Sequence, residues 1–202
     1  MLIRRFIAAL GGLIYRGKTK EKKIALTFDD GPNKAYTEKI LNILEHEGIK
    51  AVFFVNGEPA EKYPELVKLI HAKGHSIGNH SYRHAKDADT RYGIEKTGEI
   101  LRNILGIAPA LFRPPWGRVT LRSMNYCRMN KIRIILWSLD TEDYKIKDAR
   151  ELILNMAKRR ISSGDIVLFH DDYAHTAEAL PEIIADIRLR GFSFASLEEL
   201  IN

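Results

Sequence analysis

From Ile24 to the C-terminus, short apolar or β-branched runs alternate with longer stretches whose apolar residues recur at helical spacing. This alternation is typical of βα units, which place parallel strands in one sheet with helices on its faces. The predicted strands are 24–28, 51–55, 75–79, 110–113, 132–137, 165–169 and 192–196. The predicted helices are 36–47, 64–73, 93–105, 119–130, 147–161 and 177–190, with Asp148 and Thr176 as N-caps of the last two. The pattern predicts one α/β domain that is either a barrel or an open, doubly wound sheet.

Composition and charge exclude several classes of protein. No GxGxxG sequence follows a predicted strand, which argues against a dinucleotide-binding domain. The single cysteine, Cys127, excludes intrachain disulfides and CxxC metal or redox sites. The formal net charge of +6 arises in residues 1–23, which hold seven basic residues and one acidic residue. Residues 24–202 are therefore neutral overall, and no nucleic-acid partner is predicted.

Residues 1–23 form a basic, apolar N-terminal segment that precedes the predicted domain at 24–202. Its apolar side chains fall at helical spacing, at Leu2, Ile3, Phe6, Ile7, Leu10, Leu13 and Ile14. The run is too short to span a bilayer as a helix. Two interpretations remain open: the helix anchors the protein on an anionic membrane surface, or it packs against the domain.

Reactive side chains follow five of the predicted strands at their C-terminal ends. In chain order they are Asp29 and Asp30, His80 and His84, Arg113 with Pro114, Pro115 and Trp116, Asp140 and Asp143, and His170 with Asp171 and Asp172. Parallel βα folds gather these strand ends on one face, where their active sites lie. The sequence therefore predicts that these residues share one site.

The residue types suggest a catalytic metal ion with a separate proton acceptor. Asp29 and Asp30 are adjacent, so one carboxylate can bind a cation while the other stays free as a base. His80 and His84 are four residues apart, and one carboxylate would complete a two-histidine, one-carboxylate set with open positions. Each motif has a simpler interpretation as well, since an isolated DDGP is a turn sequence and histidine pairs arise by chance.

The remaining motifs suggest groups that act on a substrate. After the two prolines of the RPPW sequence, the first backbone N–H is that of Trp116, which a stiff turn could aim into an oxyanion hole. A loop merely stiffened by prolines is an equal alternative. Arg113 suits a carboxylate in the same cleft. His170 ends a buried strand and suits proton donation near neutral pH, with Asp143 as the acid that orients it.

The five motifs together resemble those of the polysaccharide deacetylases of carbohydrate esterase family 4, the NodB homology domain. The motifs are 27–31 (TFDDG), 80–84 (HSYRH), 113–117 (RPPWG), 140–144 (DTEDY) and 168–170 (LFH). The resemblance covers residues 24 to about 200. It implies an α/β fold of the deformed (β/α) barrel type, TIM-barrel-like, with about seven parallel strands.

The resemblance also implies a role for each residue. Asp29 would be the base, His170 the acid, Arg113 the partner of Asp29 and Asp143 the partner of His170. The metal ligands would be Asp30, His80 and His84. They would hold one divalent ion, with Zn²⁺ the first choice and Co²⁺, Mn²⁺ or Ni²⁺ the alternatives. The oxyanion site and substrate pocket would be formed by Pro115, Trp116, Tyr144 and Leu168.

The implied reaction is removal of N-acetyl groups from a polysaccharide of the N-acetylglucosamine type, peptidoglycan or chitin-like, by hydrolysis of a non-peptide carbon–nitrogen bond. Tyr144 stands where the family usually has Trp, and Trp116 where it has Tyr or Phe, so the acyl group and sugar remain open. The alternatives are a deacylase or deformylase of a lipid-linked sugar or small amide, and a non-catalytic saccharide-binding module. The expected location is the cell envelope or the extracellular space, with membrane association through residues 1–23, and the cytoplasm is the alternative.

Overall fold

A computed structural model describes residues 12–84 and 90–202. The strands are β1 (Leu13–Ile14), β2 (Lys23–Asp29), β3 (Val52–Val55), β4 (Ser76–Asn79), β5 (Leu111–Phe112), β6 (Arg133–Ile135), β7 (Leu139–Asp140), β8 (Ile166–His170) and β9 (Ser193–Phe194). The helices are α1 (Thr37–His46), α2 (Gly57–Lys62), α3 (Pro64–Ala72), α4 (Thr90–Leu105), α5 (Leu121–Met129), α6 (Ala149–Lys158), α7 (Ala174–Leu189) and α8 (Leu197–Ile201). Within these described ranges no helix is both long and apolar enough to cross a membrane.

The sheet is parallel and curls into a deformed barrel. Its strand order is β1-β6-β5-β4-β3-β2-β8-β7, and β9 pairs with β2. Only residues 136–138 separate β6 from β7, although the two strands lie near opposite ends of this order. This short link forms main-chain hydrogen bonds with strands near both ends of the sheet. The amide of Leu136 donates to the carbonyl oxygen of Ile14 in β1, and that of Ser138 donates to the carbonyl oxygen of Ile166 in β8. The predicted (β/α) barrel is therefore confirmed, with the strand predicted at 132–137 ending early and a further short strand, β7, following it.

The N-terminal segment differs from its predicted helix where it is described. Leu13 and Ile14 form β1 and pair with β6, and Leu13 packs in a buried cluster with Cys127. Arg16 forms an ion pair with Asp165 at 2.7 Å, and Lys18 donates its amide to the carbonyl of Leu200. The edge of β6 offers free hydrogen-bonding groups, which favours a strand over a helix at this place. The rest of the predicted helix, residues 1–11, lies outside the described residues.

Two helix starts were predicted from capping residues, with different outcomes. Asp148 caps α6, since its side chain accepts the amide of Glu151 at 2.9 Å. Thr176 is not a cap, because α7 begins earlier, at Ala174, and Thr176 lies inside its first turn. Helices α2 and α8 were not predicted, since they are too short to show helical periodicity in the sequence.

Side chains of the sheet face either the surrounding helices or the barrel interior, and the interior face carries the site. On the helix side of the sheet, the ring of Phe28 stacks between those of Phe53 and Phe169, with centroids 5.0 and 5.6 Å away. Side chains alternate along a strand, so Thr27 and Asp29 of β2 face the barrel interior. Both are buried there, and Asp29 ends its strand. The C-terminal end of β2 thus places polar side chains inside the barrel, while its aromatic side chain packs under the helices.

Candidate active site

A cavity of about 320 Å³ opens at the C-terminal ends of the strands. It is lined by Asp29, Asp30, His80, His84, Trp116, Trp137, Asp140, Tyr144, Leu168, His170 and Tyr173. Nine of these residues were predicted from the sequence to lie at the site. Arg113 and Asp143 lie directly behind the lining and are completely buried. Pro115 is absent from the lining, but it begins the 3-10 turn Pro115–Gly117 that carries Trp116.

Asp30, His80 and His84 form a cluster suited to a divalent cation. One ligand atom from each residue lies within 4.8 Å of the others. Oδ1 of Asp30 is 3.5 Å from Nε2 of His80 and 3.7 Å from Nε2 of His84. Asn56 donates its side-chain amide to the same Oδ1 at 3.1 Å, which fixes the carboxylate. Two imidazoles and one carboxylate leave coordination positions open, as in catalytic rather than structural metal sites.

The buried environment prepares His80 to act as a ligand. Its Nδ1–H donates to the carbonyl oxygen of Arg113 at 2.7 Å, so the lone pair of Nε2 points toward Asp30. Burial lowers the pKa of His80 to about 3, which keeps the imidazole neutral, the form that binds metals. The residues present therefore fit a metal ion.

The backbone separates the two adjacent aspartates. Asp29 ends β2 in extended conformation, whereas Asp30 has a φ of 77°, in the left-handed region. Aspartate tolerates this conformation better than most residues. The change of direction sends the carboxylate of Asp29 into the barrel and that of Asp30 toward the two histidines.

Asp29 is held by a buried arginine. Nη1 of Arg113 donates to Oδ1 of Asp29 at 2.7 Å and to the hydroxyl of Thr27 at 2.8 Å. The other guanidinium nitrogens donate to the carbonyls of Ile135 and Leu136. Oδ2 of Asp29 stays on the cavity side, 3.6 Å from Nε2 of His80. Burial raises the pKa of the Asp29 carboxyl, and Arg113 opposes this effect only in part, so the carboxylate is a stronger base than an exposed one.

Opposite Asp29 stands a histidine paired with a buried aspartate. Nδ1 of His170 lies 2.7 Å from Oδ1 of Asp143, and its Nε2 lies 3.9 Å from Oδ2 of Asp30. Burial alone would lower the pKa of His170, but the hydrogen bond and charge of Asp143, with the charges of Asp29 and Asp30, raise that pKa to about 9. His170 is thus a protonated imidazole at neutral pH, able to donate a proton into the cavity.

Aromatic side chains form the rim of the cavity. Trp116 is half exposed, has a φ of 58° and packs its ring 4.6 Å from that of His84. Tyr144 and Tyr173 both meet His170 edge-on, with ring centroids at 5.5 and 6.0 Å. Sequence reasoning missed Trp137 and Tyr173. The signal available for them was position alone, since Trp137 ends a predicted strand and Tyr173 follows His170 by three residues.

Comparisons with known proteins agree with this geometry. The family model described as polysaccharide deacetylase matches residues 16–135. A peptidoglycan-N-acetylglucosamine deacetylase of Bacillus cereus is 35% identical over 195 residues, which cover 92% of this chain and 70% of that protein. The peptidoglycan-N-acetylmuramic acid deacetylase PdaC of Bacillus subtilis is 34% identical over 187 residues, which cover 89% of this chain and 39% of that protein.

A solved structure extends the similarity to the whole fold. The crystal structure of the Bc1960 peptidoglycan N-acetylglucosamine deacetylase, in complex with 4-naphthalen-1-yl-N-oxidanyl-benzamide, superposes with a TM-score of 0.89 at 34% identity. The superposition covers 98% of this chain and 96% of that one. Matching sequence, matching fold and a site with the chemistry of amide hydrolysis lead to one conclusion: the chain belongs to the polysaccharide deacetylase family, the carbohydrate esterases of family 4, and is a deacetylase.

Proposed function

We propose that this protein removes the acetyl group from N-acetylglucosamine residues of peptidoglycan, using Zn²⁺ bound by Asp30, His80 and His84. The observation that supports the proposal best is that one cavity has an ionised carboxylate on one side and a protonated imidazole on the other. Asp29 is a carboxylate held by Arg113, and His170 has a pKa raised to about 9. Pairs of titratable groups with such different environments divide the roles of base and acid. The names of the relatives support the choice of substrate.

A bound divalent ion would polarise the amide carbonyl and lower the pKa of a water molecule in the cavity. Asp29 takes the proton of that water through Oδ2, because its Oδ1 is occupied by Arg113. Since the guanidinium also bonds two main-chain carbonyls, the carboxylate keeps one orientation while its charge changes. The protein thus provides a fixed proton acceptor at the wall of the cavity.

His170 completes the reaction from the opposite side. Its Nδ1–H is bound to Asp143, so Nε2–H is the proton that can be given to the departing amine. The backbone N–H of Trp116 supports the developing negative charge on the carbonyl oxygen. The products are acetate and a free amino group on the sugar, with the amide carbon–nitrogen bond broken and one water consumed.

The cavity walls select a small acyl group on a sugar. Leu168 and Trp137 offer apolar surface to a methyl group, and the half-exposed rings of Trp116 and Tyr144 offer flat faces at the rim. A second candidate substrate is N-acetylmuramic acid, which the name of the relative PdaC gives. A lipid-linked sugar or small amide is less favoured. A non-catalytic module is also less favoured, because Asp29 and all three proposed ligands are present.

The proposed place of action is the cell envelope, where peptidoglycan lies. The basic segment of residues 1–23 would hold the protein at an anionic membrane surface. Its charge supports this, since about 1 kcal/mol is gained per basic residue near such a surface. A cytoplasmic location is the alternative.

The test is release of acetate and of free amines by zinc-loaded protein. The panel comprises N-acetylglucosamine oligomers, peptidoglycan, N-acetylmuramic acid glycans, lipid-linked sugars and simple acetamides. Asp29→Asn is the control, because it removes the proton acceptor without touching the three ligands. Release from peptidoglycan that Asp29→Asn abolishes supports the proposal. Release from simple acetamides alone would contradict the substrate class.

A further inference from the structure

The buried carboxylate of Asp143 receives four hydrogen bonds. Its Oδ1 accepts from Nδ1 of His170 at 2.7 Å and from the amide of Tyr144 at 3.0 Å. Its Oδ2 accepts from the amide of His170 at 2.8 Å and from the hydroxyl of Thr176 at 2.9 Å. A carboxylate offers about four lone-pair positions, so every acceptor position of Asp143 is filled.

Three of these donors belong to residues adjacent to or paired with Asp143, and the fourth does not. Thr176 lies in the first turn of α7 and is completely buried. A threonine near a helix start usually accepts a backbone N–H as the N-cap. Here Tyr173 occupies the N-cap position, and the hydroxyl of Thr176 donates to Asp143 instead.

The same turn holds Asp143 at a second point. Nε2–H of His175 donates to the carbonyl oxygen of Asp143 at 2.9 Å. The ring of His175 also stacks on Tyr173, with centroids 5.2 Å apart, and Tyr173 lines the cavity beside His170. The start of α7 therefore fixes both the side chain and the main chain of the aspartate that orients His170.

We propose that Thr176 is a positioning residue for proton donation by His170. Its hydroxyl sets the plane of the Asp143 carboxylate, and that plane sets the direction in which His170 presents Nε2–H to the leaving amine. Without the hydroxyl of Thr176, Oδ2 of Asp143 loses one of its hydrogen-bond donors. The buried carboxylate is then free to rotate toward a different donor. The inference rests on the proposed function, because it takes His170 as the acid for an amine leaving group.

Two substrates distinguish this role from a general loss of structure. An N-acetylglucosamine oligomer releases an amine and needs the acid, whereas 4-nitrophenyl acetate releases a stable phenolate and does not. Thr176→Val should lower kcat on the oligomer by about tenfold, a part of the 10²–10⁴-fold that a general acid contributes, and leave kcat on the aryl ester within about twofold. Thr176→Ser, which keeps the hydroxyl, should restore kcat on the oligomer.

A matched control addresses the effect of burying a valine. Thr97 of α4 is also completely buried, and its hydroxyl has no partner among the described residues. Thr97→Val should leave both activities unchanged. An equal fall on both substrates in Thr176→Val would overturn the proposal. In a His170→Ala background, Thr176→Val should cause no further loss, and a further loss would show that Thr176 acts by another route.

A spectroscopic measurement on metal-free protein gives a readout apart from turnover. The proton on Nδ1 of His170 should give a downfield NMR resonance from its hydrogen bond to Asp143. That resonance should move in Thr176→Val, return in Thr176→Ser and stay in place in Thr97→Val. An unmoved resonance in Thr176→Val would overturn the positioning role. A wild-type protein that hydrolyses neither substrate would instead reject the proposed function, so the two failures are distinguishable.

Discussion

Nη1 of Arg113 lies 2.7 Å from Oδ1 of Asp29, and the main-chain carbonyl of the same arginine accepts the Nδ1–H of His80. One buried residue therefore fixes the proposed base through its side chain and a proposed metal ligand through its backbone. Removing the guanidinium leaves the carboxylate buried without its countercharge, while the carbonyl that holds His80 remains.

Arg113→Gln should destabilise the protein strongly. Breaking a buried ion pair by removing one partner costs about 3–5 kcal/mol of unfolding free energy. Arg113→Lys should recover only part of the lost unfolding free energy, because an ammonium group cannot form the four hydrogen bonds that the planar guanidinium forms. Urea denaturation measures the effect. The control is Arg91→Gln, which breaks an exposed i,i+4 pair with Glu95 and should cost no more than about 0.5 kcal/mol. Equal losses of unfolding free energy in Arg113→Gln and Arg91→Gln would show that the buried ion pair contributes no more to stability than the exposed one.

Metal binding should depend on the three proposed ligands and not on the neighbouring base. His80→Ala and His84→Ala should each weaken Zn²⁺ binding by more than about 100-fold, since even loss of a supporting partner costs 10–100-fold. Asp29→Asn should bind zinc as wild type does but lose turnover. Competition with a chromogenic chelator measures the affinities. Wild-type affinity in His80→Ala would rule out this ligand set.

Activity should have a bell-shaped dependence on pH. It requires ionised Asp29 and protonated His170, so kcat/KM should rise as Asp29 loses its proton and fall near pH 9 as His170 loses its own. In Asp143→Asn the main influence raising the pKa of His170 is gone and burial lowers that pKa. The basic limb should therefore move toward neutral pH. A basic limb at the same pH in both proteins would mean that another group controls it.

The stability of metal-free protein should fall on the alkaline side because of the same histidine. The pKa of His170 is raised from 6.5 to about 9, so its contribution to stability is complete below pH 6.5 and is lost as pH rises through about 9. His80 acts in the opposite direction: its pKa is lowered to about 3, so its contribution is present above pH 6.5 and is lost as pH falls toward 3. Denaturation midpoints of wild type and His170→Gln between pH 6 and 10 check the first contribution. Parallel curves for the two proteins would contradict it.

Two N-terminal truncations separate membrane binding from folding. Removing residues 1–11 should weaken salt-sensitive binding to anionic vesicles, because most of the apolar residues and two of the seven basic residues of the segment are lost, and should leave the melting temperature nearly unchanged. Removing residues 1–20 should also lower the melting temperature, because β1 and the ion pair of Arg16 with Asp165 are lost. As a control, the protein without residues 1–11 should turn over a small soluble substrate as wild type does. Vesicle binding that is as strong without residues 1–11 as with them would contradict a role for that end of the segment.

The sequence predicted the parallel βα units well because their strands are buried on both faces and contrast with helical stretches of different period. The choice of a barrel over an open sheet came from the family resemblance. The sequence could not predict β1, whose two residues form a strand only because the edge of β6 is there to pair with. Without the family resemblance, the sequence could not show which of Asp29 and Asp30 is the base and which is the metal ligand. The two carboxylates point in different directions because the backbone of Asp30 is left-handed. Trp137 and Tyr173 were missed because the curvature of the sheet, and not a motif, brings them to the cavity.

The contacts of Arg113 also bear on how such an enzyme can be altered. Its guanidinium bonds residues of β2 and of the β6 region and lies 4.1 Å above the ring of Phe54 in β3, so the proposed proton acceptor is part of the barrel's packing. The rim residues Trp116 and Tyr144 are half exposed and lie outside that packing. An engineer seeking a new acyl or sugar preference can therefore vary the side chains of the rim without breaking any contact of Arg113, whereas a change of Arg113 itself alters the packing of the barrel.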